Sequence, residues 1–177
     1  MAQVIIILGS RSDQKIVENS ELFKILDKVG VSWTVSVFSV HRNDIERLKK
    51  HCIIKSVNGA KVFIGIAGMA AALPGIIASL SAVTPVIGVP LPSKYKPDAE
   101  DALYSMIQMP KGRPVAVCGI GENGLYNAAI FACQIVAVSN KMVWLNLKQY
   151  ISETEESFLP EFDLCSSGES LKKEEKK

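Results

Sequence analysis

Val4-Ile5-Ile6-Ile7-Leu8 runs straight into Gly9-Ser10-Arg11-Ser12-Asp13. A short, unbroken apolar run bounded by glycine and small polar residues is the signature of a strand covered on both faces, as in a parallel sheet. A helical pattern follows. From Asp13 to Val29, the residues Ile16, Leu22, Phe23, Leu26 and Val29 fall near one face. Strand, small-residue turn and helix, in that order, form the first half of a βαβ unit.

The alternation continues along the chain. Lys61 to Ala67, Val86 to Val89 and Val115 to Val117 are further apolar runs, and Trp33 to Phe38 is a β-branched and aromatic one. Between them, Asn43 to Val57 opens on a capping residue, and Ala70 to Leu80 is small and apolar nearly all round. Asn123 to Val138 carries Ala128, Ala129, Ala132 and Ala137, which allow close packing. Strands alternating with helices predict an α/β protein: a doubly wound parallel sheet in a three-layer α/β/α sandwich. Lys141 to Tyr150, with Met142, Val143, Trp144, Leu145 and Leu147, reads as one more helix. The sheet already has enough helices to cover it, so this one is expected to pack on another subunit through Trp144. The reading is a single domain over residues 1–165, with this last helix at about 139–156. A Ser/Glu/Lys-rich tail, 166–177, is expected to be disordered.

A chain of 177 residues suits one continuous core. Its net charge of +2 leaves no basic field for a nucleic acid. No run approaches the roughly 20 apolar residues of a membrane span. The opening segment lacks a basic region and reads as mature protein beginning directly in the fold. None of the 4 cysteines, Cys52, Cys118, Cys133 and Cys165, forms a C-x-x-C pair, and with only 2 histidines no metal site is expected. Small apolar neighbours make Cys118 and Cys133 read as buried free thiols, which suits a reducing, cytoplasmic compartment.

In open α/β sheets ligands sit at the carboxyl ends of the strands. Four segments fall there. Gly9 to Asp13 reads either as a plain capping turn or as a phosphate site, with Ser10, Ser12 and Asp13 beside a helix N-terminus. Ser39-Val40-His41-Arg42 places an imidazole, suited to proton transfer near neutrality, beside a guanidinium fork that suits phosphate. His51 follows Lys49 and Lys50 on a helix and reads as solvated. Ile64 to Gly75 supplies small residues that let backbone approach a ligand, or make a tight strand-to-helix junction. It matches neither the dinucleotide G-x-G-x-x-G pattern nor a Walker loop. Tyr104 to Gly112 reads as a helix ending before a proline.

Taken in order, six pieces carry a resemblance: Gly-Ser-Arg-Ser-Asp (9–13), Ser-Val-His-Arg (39–42), the Ala-Gly…Leu-Pro-Gly loop (67–75), Pro-Val-Ile-Gly-Val-Pro (85–90), Ser-Met-Ile-Gln-Met-Pro-Lys-Gly-Arg-Pro-Val-Ala (105–116) and Asn-Ala-Ala-Ile-Phe-Ala-Cys-Gln-Ile (127–135). With them the chain resembles the catalytic subunit of phosphoribosylaminoimidazole carboxylase, a family that contains the N5-carboxyaminoimidazole ribonucleotide mutases. The resemblance implies a flavodoxin-like fold and a homo-octamer whose C-terminal helices reach neighbouring subunits. It implies purine biosynthesis, with the N5 carbamate losing CO2 and C4 of the same ring taking it up. His41 would be the acid/base. Ser10, Asp13 and Arg42 would bind the ribonucleotide, with Ser12 and Ser39 close by, and Ala67, Gly68 and Leu73 would line the loop over the base and carboxyl group. No metal or other cofactor is implied. The implied partners are a small ribonucleotide and CO2, not nucleic acid or membrane.

The chain departs from the family at two places. Most bacterial mutases carry histidine directly before Leu-Pro-Gly, where this chain has Ala72, and Met69 replaces a residue that is small in many relatives. Three other activities therefore stand beside the mutase. They are direct carboxylation of aminoimidazole ribonucleotide with free CO2, a pyridinium carboxylase suggested by Gly-Met-x-x-Ala-Leu-Pro (68–74), and a non-catalytic nucleotide-binding paralogue. Arg42, typically lysine in the direct carboxylases, and the segment from Ser105 to Ala116 favour the mutase.

Overall fold

Along β1 (Val4–Leu8) the side chains alternate between two cores. Val4, Ile6 and Leu8 join a cluster with Leu22, Leu26 and Leu125, while Ile5 and Ile7 join Phe63, Leu73 and Ile77 on the other side of the sheet. Successive strand side chains point to opposite faces, so an all-apolar strand is stable only where helices cover both. Each such side chain contributes about 1.5–3 kcal/mol when fully buried.

The computed structural model describes residues 1–42, 44–81 and 83–155. Cys165, the tail from 166 to 177 and the expected capping residue Asn43 lie outside the described residues. After β1 come α1 (Gln14–Asn19), α2 (Leu22–Val29), β2 (Trp33–Val37) and α3 (Ile45–Val57). They are followed by β3 (Val62–Gly68), α4 (Leu73–Ser81), β4 (Val86–Leu91), α5 (Glu100–Ile107), β5 (Ala116–Val117), α6 (Gly121–Ala137) and α7 (Lys141–Glu155). The sheet has 5 strands in the order β2-β1-β3-β4-β5, and every pairing is parallel. This is the flavodoxin-like doubly wound order, and the α/β/α sandwich read from the sequence is the fold observed. Helices α2, α6 and α7 pack on one face, and α3, α4 and α5 on the other.

Local differences from the sequence reading have physical causes. The helix expected from Asp13 to Val29 is broken. Arg11–Asp13 is a 3-10 turn, α1 ends at Asn19, and buried Ser20 is extended, its hydroxyl donating to Val17 O at 2.7 Å and accepting from Leu22 N at 3.3 Å. A serine that bonds its own backbone competes with the helix ladder. The helix expected from Ala70 begins instead at Leu73, with Pro74 in its first turn, where a missing N–H costs nothing.

The last helix docks on its own chain. Val143 and Leu147 are buried against the α2 and α6 face, Asn146 donates to Val29 O at 3.0 Å, and Lys28 pairs with Glu153 at 2.8 Å. Trp144 stays half exposed on its outer side. Cys52 and Cys133 are buried and Cys118 is only half-buried, all three as free thiols. Burial pushes the Cys52 thiol up to about 11 and the Cys133 thiol up to about 12.

Candidate active site

Four chain segments leave the carboxyl edge of the sheet and enclose one cleft of about 690 Å³. Following the strand order, they are residues 39–42 beyond β2, 9–13 beyond β1, 67–73 at the end of β3 and 92–95 beyond β4. All the site residues expected from the sequence line this cleft: Ser10, Ser12, Asp13, Ser39, His41, Arg42, Ala67, Gly68 and Leu73.

Each side of the cleft is held by its own backbone. Gly9 N donates to Ile66 O at 2.9 Å, and a Cβ on Gly9 would lie 3.2 Å from that of Ala67, so the turn after β1 sits directly against β3. Beyond it, the Ser10 hydroxyl accepts from Ser12 N at 3.2 Å and Ser12 Oγ at 2.8 Å. Ser12 Oγ also lies 3.2 Å from the Asp13 carboxylate. Burial raises the Asp13 pKa above its ordinary value, with the bonds from Ser12 and Ser10 opposing the shift. With α1 only 6 residues long, the long helix N-terminus expected to cradle a phosphate is absent, and side-chain groups gain importance here.

Residues 39–42 form a turn whose ends are tied. Arg42 N donates to Ser39 O at 2.9 Å, and Asp44 accepts from Ser39 N at 3.2 Å and from Arg47 Nη1 at 2.8 Å. From this turn, exposed His41 reaches over to the loop after β3, with Nε2 2.9 Å from Ala70 O. A carbonyl only accepts, so Nε2 carries the hydrogen, and in the neutral imidazole Nδ1 keeps the lone pair. Ala70 O also accepts from Ala72 N at 2.8 Å. The loop turns at Met69, whose φ of 58° is a left-handed conformation that non-glycine residues seldom adopt. Ala67, Ala71 and Leu73 are buried beneath it. Arg42 makes no ion pair among the described residues, which leaves its guanidinium available to a ligand.

Asp44, Met69 and the rim from Pro92 to Tyr95 were not singled out as site residues from the sequence. The rim was findable, because β4 ends at Leu91 and whatever follows it must emerge at the ligand edge. His51, read as solvated, is half-buried and stacks obliquely on Phe38 with ring centroids 5.0 Å apart. Its Nε2 is buried without a partner, and burial, with help from the Lys55 charge, lowers its pKa.

A larger cleft of about 810 Å³ lies between α2, α6 and α7. Within it Lys28 pairs with Glu153 at 2.8 Å and Tyr126 with Tyr150 at 3.2 Å, and its lining holds no imidazole. Among the described residues no helix is long and apolar enough to cross a membrane, and no group of three or more His, Cys, Asp or Glu is placed to hold a metal ion.

A parallel sheet in this order, with hydroxyls, a carboxylate, an imidazole and a guanidinium gathered at its carboxyl edge, defines the class: a flavodoxin-like α/β protein with a polar cleft at the strand ends. Within that class the chain belongs to the AIR carboxylase family, whose model matches residues 3–157. It is 40% identical over 149 residues to the N5-carboxyaminoimidazole ribonucleotide mutase of Haemophilus influenzae, covering 84% of this chain and 88% of that one. It is 43% identical over 149 residues to the mutase of Methanocaldococcus jannaschii, covering 83% and 87%. Among solved structures, Treponema denticola PurE matches with a TM-score of 0.74 at 25% identity, covering 87% of this chain and 92% of that one.

Proposed function

We propose that the protein is a purine-biosynthetic isomerase that converts N5-carboxyaminoimidazole ribonucleotide to 4-carboxyaminoimidazole ribonucleotide. The observation that carries this reading is His41 held over the Ala67–Leu73 loop, in a chain about as similar to bacterial as to archaeal mutases. The chemistry is a carboxyl transfer that leaves the proton count unchanged. As the N5–carboxyl bond breaks, its electron pair returns to nitrogen and N5 takes a proton. C4, made nucleophilic by the ring's amino group, attacks the trapped CO2 and then loses its own proton. An imidazole that begins the cycle protonated on both nitrogens can supply the first proton from Nδ1 and accept the second there, so the cycle returns His41 to its starting state.

The other roles follow. Ser10, Asp13 and Arg42 bind the ribonucleotide, with Ser12 and Ser39 beside them. Ala67, Gly68 and Leu73 wall the chamber that keeps CO2 near C4 and water out. No metal or organic cofactor takes part. The enzyme works in the cytoplasm as a homo-octamer, with the outer face of α7 around Trp144 joining subunits. The domain spans residues 1–165.

The test is product formation by purified protein from the carbamate, compared with aminoimidazole ribonucleotide plus bicarbonate. Turnover of the carbamate well above the bicarbonate reaction supports the mutase. Product only from bicarbonate would make it a direct carboxylase, and nucleotide-dependent thermal stabilisation without product would make it a binder.

A further inference from the structure

The cleft has two permanent cations among the described residues, Arg42 and Lys94, on different rims. The proposed substrate has two anionic ends, a phosphate and a carboxylate. Arg42 has the planar fork that suits phosphate. On the proposed reading the carboxylate lies against the loop after β3, near His41, yet residues 69–72 are Met-Ala-Ala-Ala and offer no side-chain donor or charge.

Lys94 is the nearest source by sheet register. Gly68 of β3 is paired with Leu91 of β4, so the segments that follow, starting at Met69 and Pro92, leave the sheet side by side. The contact is tight, since a Cβ on Gly68 would lie 2.9 Å from Leu91 O. The rim is also preformed. Ser93 and Lys96 exchange backbone hydrogen bonds of 3.1 and 3.2 Å, and the Ser93 hydroxyl accepts from Tyr95 N and Lys96 N. That turn carries Lys94 and Tyr95 at its tip. The Lys94 ammonium lies 4.6 Å from the Tyr95 ring centroid and makes no ion pair among the described residues.

We infer that Lys94 is the cation that binds the substrate's carboxylate, taking up at the β4 rim the charge that Ala72 leaves uncompensated; this rests on the function proposed above. Carbon dioxide is uncharged, so Lys94 grips the carboxylated end states and releases its hold when CO2 is free. Its loss therefore acts on affinity more than on the chemical step.

The experiment titrates the intact protein with two ribonucleotides, 5-aminoimidazole ribonucleotide and its 4-carboxylated form, using wild type, Lys94→Met and Lys94→Arg. Lys94 is exposed, so both variants retain the fold. Lys94→Met is expected to weaken the carboxylated ligand about tenfold, the size of one charge-assisted contact. The uncarboxylated ligand should bind as in wild type, Lys94→Arg should restore most of the loss, and KM should rise more than kcat falls. An equal loss for both ligands, or no loss for either, overturns the assignment while leaving the proposed function standing. Wild type binding neither ribonucleotide overturns the function itself and this assignment with it.

Discussion

Nε2 of His41 donates to Ala70 O across 2.9 Å, and this one bond joins the loop beyond β2 to the loop beyond β3 over the intervening strand β1. It fixes which imidazole nitrogen is free, and it ties the proposed proton carrier to the wall of the cleft. Asp44 anchors the near side of the span by accepting from Ser39 N and Arg47.

The variant His41→Asn should fold normally, because the side chain is exposed and belongs to neither core. It should bind the ribonucleotide within a few-fold of wild type and lose about 10²–10⁴-fold in turnover, the usual share of a positioned acid/base. Steady-state kinetics with a parallel thermal-shift titration checks this. Turnover near wild type would remove His41 from the mechanism.

Asp13 is expected to make binding acid-sensitive. Its carboxyl is raised above the ordinary value of 3.8 by burial, so its acceptor form is lost at a higher pH than for a free aspartate. Ribonucleotide affinity should fall as pH drops through that raised value. A group whose folded pKa is raised contributes stability below its unfolded pKa and loses it as pH rises through the folded one. At neutral pH the ionised Asp13 therefore opposes folding. Asp13→Asn should raise the melting temperature while weakening ribonucleotide binding, and a lower melting temperature with unchanged affinity would contradict both parts.

Gly68→Ala should damage the site through packing. The added Cβ meets Leu91 O at 2.9 Å, so the β3 and β4 ends must separate or shift. The expected destabilisation is about 1–3 kcal/mol, read by denaturant titration, with kcat/KM reduced as the loop to Leu73 moves. Unchanged stability and activity would show that the strand ends have slack.

His51→Phe should stabilise the fold. The imidazole has a buried nitrogen without a partner and a lowered pKa. A lowered pKa means that the unfolded chain takes up the proton first, so stability is lost as pH falls below the unfolded value near 6.5. The phenyl ring keeps the contact with Phe38 and removes both penalties. The melting temperature should rise by about 2–4 °C at pH 7, and its decline toward pH 5.5 should flatten. A fall in melting temperature would mean the imidazole is satisfied in solution.

Trp144→Glu tests the proposed assembly. Val143 and Leu147 hold α7 on its own chain, so the fold should survive, with unchanged circular dichroism. Light scattering should report a smaller particle than wild type. An unchanged mass would place subunit contacts elsewhere.

Much of this was legible in the sequence. Apolar runs such as Val4 to Leu8 determine a sheet covered on both faces, because no other arrangement buries every side chain of such a strand. The order of runs and helical patterns determines the parallel winding. Residues placed just past strand ends, His41 and Asp13 among them, determine which edge carries the polar cleft, since a strand's last residue fixes where the chain emerges. The break at Ser20 was not legible, because a helix and a serine-capped turn share the same apolar spacing, and the hydroxyl's bonds to Val17 O and Leu22 N appear only in the folded chain.

Tertiary structure alone decided that His41 lies against Ala70, that His51 packs on Phe38, and that Lys94 lines the same cleft as Met69. Each is a meeting of residues distant in the chain. Local propensity sets the elements, but only the register of strands and the close approach of glycines set which loops end side by side.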